Sequence, residues 1–134
     1  TGGHLYAPLL QASMALGLLV AAFLWINQFP DYRADIRAGK RNLVVRLGLE
    51  RAAQWYVVIL AAGYLWLLLT AIYYPQARGM AWGLVGLLPA TFSAWRTLES
   101  GGQTDRLIPA QVACLASFVL MALGSGLGYL LVAP

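Results

Sequence analysis

Three long runs of this 134-residue chain contain no charged side chain: Leu5 to Phe29, Ala52 to Tyr74 and Leu107 to Ala133. A helix pairs its backbone groups internally, and about 20 mostly apolar residues carry it across the hydrocarbon core of a bilayer. A fourth run, Gly79 to Trp95, is at the short limit and holds Pro89, whose ring and missing amide hydrogen predict a kink. The expectation is an all-α, polytopic bundle of about four spans, over 5–29, 52–74, 79–95 and 107–133, within one domain. Composition agrees, since soluble domains carry about 25% charged residues and this chain has 10%, with mean hydropathy +0.68. The first run has no basic region before it, so it reads as a span and not as a signal peptide. The single cysteine, Cys114, lies in an apolar run, which rules out an intramolecular disulfide.

The charges are concentrated elsewhere. Of the nine Lys and Arg, six lie in the loop 30–51, two in the loop 96–106, and only Arg78 in the connection on the other side. Basic loops stay in the cytoplasm, which predicts a multi-pass cell-membrane protein with loops 30–51 and 96–106 cytoplasmic and both chain ends outside. The net charge of +4 thus reports topology and contact with anionic lipid, and no nucleic-acid partner is expected. Gly79 and Gly83, and Gly124 and Gly128, recur at intervals of four, the spacing that lets neighbouring backbones approach within one bundle. Trp and Tyr near the span ends read as interface anchors, and His4 as an interface residue.

Orientation needs bases, yet loop 30–51 also holds acids. In "NQFPDYRADIRAGKRNLVVRLG", Asn27, Asp31 and Asp35 recur every four residues, which on a continuous helix stacks them on one face. Carboxylates at that spacing repel, and a cation before them explains the pattern. Mg²⁺ is commonly held by one or two carboxylates plus substrate phosphates. Arg37, Lys40 and Arg41 follow, with Arg46 beyond, all suited to phosphate oxygens. Pro30 predicts a helix break that separates Asn27 from the two acids, and Gly39 predicts the end of a short polar helix that lets Lys40 and Arg41 fold back. Ion pairs such as Asp31–Arg33 explain the stretch poorly, because residues two apart do not face each other on a helix.

The whole string resembles the second aspartate-rich motif of the UbiA superfamily of intramembrane prenyltransferases. Its N-x-x-x-D-x-x-x-D column, the following A-G-K-R-N-L and the closing V-R-L-G are most similar to the menaquinone-type, 1,4-dihydroxy-2-naphthoate prenyltransferase-like branch. The match is dense over Asn27–Gly48; elsewhere it is a hydropathy pattern. The resemblance implies a nine-helix fold in which two such motifs bind a prenyl diphosphate through Mg²⁺ and an aromatic acceptor is alkylated. It implies Asp31 and Asp35 as catalytic metal ligands, Lys40, Arg41, Arg37 and Arg33 as diphosphate-binding, and Asn27 and Tyr32 as supporting. Phe23, Trp25, Phe29 and Tyr32 lie near enough in sequence to line the cavity, although packing accounts for each of them.

The family's first motif is missing, because the remaining acids are Glu50, Glu99 and Asp105. With its start on Thr1 and too few spans for nine, the chain is expected to be residues 1–134 of a C-terminal portion, incapable of catalysis alone. Glu99 and Asp105 flank Gly101 and Gly102 in a loop able to cover the site. The CDP-alcohol phosphotransferases also end a motif in D-x-x-x-D, but the upstream D-G-x-x-A-R is absent. The alternatives are another acceptor, such as 4-hydroxybenzoate, and a non-enzymatic module that grips anionic lipid through its basic loop.

Overall fold

The computed structural model describes residues 3–100 and 104–132, all of whose regular elements are helical. Helix α1 (Gly3–Asn27) leads to two short helices, α2 (Tyr32–Arg37) and α3 (Leu43–Leu47). Helix α4 (Leu49–Tyr73) returns, a 3₁₀ segment (Pro75–Gly86) runs directly into α5 (Leu87–Glu99), and α6 (Thr104–Leu131) completes the chain. Three helices are long and apolar enough to cross a membrane: Ala7–Asn27, Leu49–Tyr73 and Arg106–Leu131. The protein is therefore an all-α polytopic bundle, integral to a membrane.

The third expected span is not one α-helix. At three residues per turn, the 3₁₀ segment places Ala77, Met80, Gly83 and Gly86 on a single face, and all four are buried. So long a 3₁₀ run is uncommon, and what fills its surroundings explains it. A side chain added at Gly79 would run into the backbone of Gly128, and one at Gly124 would lie 2.5 Å from the Trp82 carbonyl and 3.0 Å from Gly83. The two glycine pairs read from sequence thus meet each other in antiparallel register, inside one molecule. Pro89 sits in the first turn of α5, where its missing amide hydrogen costs nothing, so the expected kink is instead a change of helix type. With about 2.0 Å of rise per residue in the 3₁₀ part and about 1.5 Å in α5, the two add up to roughly 44 Å of helical path, enough for a bilayer.

The core follows helical spacing. Ala15, Leu19, Ala22 and Ile26 of α1 pack with Tyr56, Leu60, Tyr64 and Leu67 of α4 and with Ala110, Cys114 and Met121 of α6. The outward faces are apolar too, with Leu69, Ile72, Leu88 and Leu130 each more than half exposed, as suits a surface facing lipid. Hydrogen bonds cross between helices where polar groups are buried. Tyr56 bonds Ser93 (2.6 Å), whose hydroxyl donates to the Ala110 carbonyl (2.6 Å), Tyr64 bonds Ser117, and Trp66 donates to Gln11 (2.9 Å).

Candidate functional site

Pro30 shapes the approach to the motif. It has no amide hydrogen for the Ile26 carbonyl, which accepts instead from Phe29 N (3.1 Å), while Trp25 O accepts from Gln28 N (3.2 Å). This tightened turn ends α1 at Asn27, so Asn27 does not continue the Asp31–Asp35 column, and its Oδ1 accepts from Gln111 Nε2 of α6 (3.1 Å). Phe29 is buried with Val44, Ala52, Ala53 and Leu107, and Trp25 and Tyr32 pack against this cluster. Trp25 Nε1 donates to the Ala52 carbonyl (2.9 Å), tying the end of α1 to the start of α4. Phe23 packs on the main core, so all four of these aromatics pack into the protein. The cluster joins residues of α1, α2, α3, α4 and α6 with Phe29 of the intervening turn into a floor for the motif segment. It also places the start of α6 beside the end of α1, so every Lys and Arg except Arg78 lies toward this end of the bundle.

Above that floor, Asp31 occupies the N-cap position of α2 but makes no side-chain capping bond, and it is exposed. Its carboxylate is thus not spent on the helix. Asp35 is one turn further on, its backbone N–H bonded to the Asp31 carbonyl at 2.7 Å. The helix closes in a Schellman motif: Gly39 N–H reaches the Ile36 carbonyl (3.1 Å) and Lys40 N–H the Asp35 carbonyl (2.9 Å), with Gly39 at φ 76°. This reversal is the fold-back that Gly39 predicted, and it carries Lys40 Nζ to 3.8 Å from Asp35 Oδ1.

Asn42 is the residue that sequence reasoning overlooked. Its Oδ1 accepts from Val45 N (2.9 Å), capping α3, while its Nδ2 donates to Asp35 Oδ2 (3.0 Å). The sequence signal was an Asn immediately before the apolar run Leu43–Leu47. A hydrogen bond to a charged group is worth about 1.5–3 kcal/mol, whereas an exposed ion pair contributes at most about 1 kcal/mol. Lys40 is 69% exposed, so Asn42 is the firmer partner of Asp35. Gln111 gave no sequence signal, because its partner Asn27 is 84 positions away.

Between α2 and α3 lies an open cleft of about 290 Å³, lined by Ile36, Gly39, Lys40, Arg41, Val45 and Arg46. The structure therefore divides the bases. Lys40, Arg41 and Arg46 converge on one recess, while Arg33 and Arg37, although exposed on α2, do not line it. Three cations around a glycine turn suit an anion with several oxygens. The only carboxylates within this segment are those of Asp31 and Asp35, and no group of three or more His, Cys, Asp or Glu assembles among the described residues. Neither Asp31 nor Asp35 lines the cleft, and Asp35 is linked to it through Lys40, whose Nζ lies 3.8 Å from Asp35 Oδ1. Two hard oxygen donors on the helix that forms one wall fit Mg²⁺ completed by substrate oxygens and water. Glu99 is exposed at the end of α5; residues 101–103 lie outside the described residues, as do the side chains of His4 and Asp105.

No protein of curated function and no solved structure matches the chain. The sequence model of the UbiA prenyltransferase family matches residues 1–118, which include the whole motif segment and the helices beneath it. The chain belongs to the UbiA prenyltransferase family, whose members transfer prenyl groups to aromatic acceptors.

Proposed function

We propose that this chain carries the second aspartate-rich motif of a menaquinone-type prenyltransferase that alkylates 1,4-dihydroxy-2-naphthoate, the first motif coming from a part of the protein outside residues 1–134. The observation that carries the proposal is the convergence of Lys40, Arg41 and Arg46 on one cleft, with Lys40 also 3.8 Å from the Asp35 carboxylate. Asp31 and Asp35 would hold Mg²⁺, which when bound supplies Lewis-acid stabilisation of charge on the departing diphosphate. Lys40 and Arg41 bind diphosphate oxygens, with Arg46 in the same cleft; Asn27 and Tyr32 support the segment from below. Cations gathered at the cleft stabilise the diphosphate as its C–O bond breaks. The electron-rich ring bonds to the allylic carbon and regains aromaticity by losing the group on the attacked carbon, a proton or, from a carboxylated carbon, CO₂. Arg33 and Arg37 fall outside the cleft and contribute through long-range attraction. The motif end of the bundle faces the cytoplasm of a cell membrane, since every Lys and Arg but Arg78 lies toward it.

The test uses the complete protein in membranes with a labelled prenyl diphosphate, dihydroxynaphthoate and Mg²⁺. Expected is prenylated naphthoquinol that disappears with EDTA and falls at least about 100-fold in Asp31→Asn, the scale of a lost electrostatic stabiliser. Label transferred only to 4-hydroxybenzoate would overturn the acceptor assignment, and no transfer to any aromatic acceptor would overturn the catalytic one.

A further inference from the structure

We propose that Asn42 is a positioning residue: one carboxamide sets both the carboxylate of Asp35 and the start of the helix that carries Arg46. The chemistry of the amide leaves no freedom in how it is oriented. Only its oxygen can accept from Val45 N–H, which directs the NH₂ group to Asp35 Oδ2. The backbone of Asn42, at φ −69° and ψ 172°, is the extended conformation of an N-cap, so capping and the bond to Asp35 are made from one unstrained geometry. Asp35 is mostly buried, and its other partner, Lys40, is largely exposed and 3.8 Å away. Remove Asn42 and the carboxylate keeps only the exposed ammonium group. Val45 and Arg46, which line the cleft together with Gly39 and Lys40, belong to α3, whose first turn the same side chain caps. The acid of α2 and the base of α3 are thereby held in a fixed relation through one residue that does not itself line the cleft.

This inference rests on Asp35 being a metal ligand, and the test separates the two claims. Mn²⁺ binding to the complete protein in detergent is titrated by the electron-paramagnetic-resonance signal of the free ion, with no substrate present. Asn42→Ser keeps an oxygen for Val45 N–H but is too short to serve Asp35 as well; Asn42→Ala loses both bonds. Positioning predicts that both variants bind Mn²⁺ about tenfold or more weakly, the usual loss when a ligand's supporting partner is removed, while Asn42→Ser melts with the parent protein. A merely structural cap predicts parent-like Mn²⁺ affinity for Asn42→Ser, and that result would overturn the proposal. Asp35→Asn is the reference. If it too binds Mn²⁺ as the parent does, the metal assignment itself falls; if it loses binding while Asn42→Ser does not, only the positioning role falls.

Discussion

In the bundle, Gly79, Gly83, Gly124 and Gly128 sit where another backbone passes; in the motif segment Gly39 sits where the chain must reverse. Gly128 has an ordinary helical conformation, yet a side chain there would strike the carbonyl of Gly79. Gly39 has open space around it and is required by its φ of 76°. One region is specified by shape, because between apolar helices in lipid there is little hydrophobic gain to separate good packing from bad. The other is specified by local hydrogen bonds: the Schellman turn, the Asn42 cap and the Asp35 contacts. A change in the first should remove the fold and with it the activity, while a change in the second should remove the activity and leave the fold.

The largest effect belongs to Gly128→Leu. Overpacking a closed contact costs about 1–3 kcal/mol or more, and here the obstacle is backbone that cannot rotate aside. The expected result is loss of monodisperse protein on size exclusion, whereas Gly126→Ala, with nothing near its added carbon, behaves as the parent. Equal tolerance at both positions would show that the α6 contact with the 3₁₀ segment does not specify the bundle.

Gly39→Ala tests the other region. The left-handed conformation costs an L-residue about 1–2 kcal/mol, which is a factor of about 5–30 in an equilibrium. Calorimetry with inorganic pyrophosphate and Mg²⁺ should show a loss of affinity of that size, with melting lowered by only a few degrees and the bundle intact, and Gly39→Asn should recover most of it. A collapse of the fold in Gly39→Ala would erase the distinction between the two regions.

Within the motif segment the division of the bases can be sharpened. Arg46→Ala removes a cation from the cleft and should raise the KM for prenyl diphosphate about tenfold, the loss of one charge-assisted contact. Arg33→Ala, outside the cleft, should change it less than about twofold at physiological salt. Equal effects would bring the outer face of α2 back into the site.

How much of this was legible in advance follows from how local each cause is. Pro30 and Gly39 act within a turn of themselves, so the break after Asn27 and the reversal before Lys40 could be read directly. Gly79, Gly83, Gly124 and Gly128 announced a contact by spacing, and the structure adds that they meet each other. The 3₁₀ form of Pro75–Gly86 was not legible, because it depends on α6 lying against it. For the same reason Gln111 was invisible as the partner of Asn27. Asn42 is intermediate: its capping role has a sequence signal, but its bond to Asp35 needs the Gly39 turn to close first.

Hydrogen bonds inside the bundle supply the smallest test, and they probe whether polar contacts specify it at all. Tyr64 bonds Ser117 across the α4–α6 contact, and Tyr64→Phe removes the hydroxyl while keeping the ring. Interhelical hydrogen bonds in membranes average about 0.6 kcal/mol, and the Ser117 hydroxyl left behind can turn to a carbonyl of its own helix. Melting in detergent should therefore fall by no more than about 2 °C. Gly86 provides the internal comparison, since a carbon added there meets the Tyr64 hydroxyl and also lies 2.7 Å from the Ser117 carbonyl. Gly86→Ala should destabilise the parent and the Tyr64→Phe variant alike, because the carbonyl obstacle persists when the hydroxyl is gone. Full rescue of Gly86→Ala by Tyr64→Phe would instead place the crowding in a side chain, and shape specification of the bundle would then rest on its glycine pairs alone.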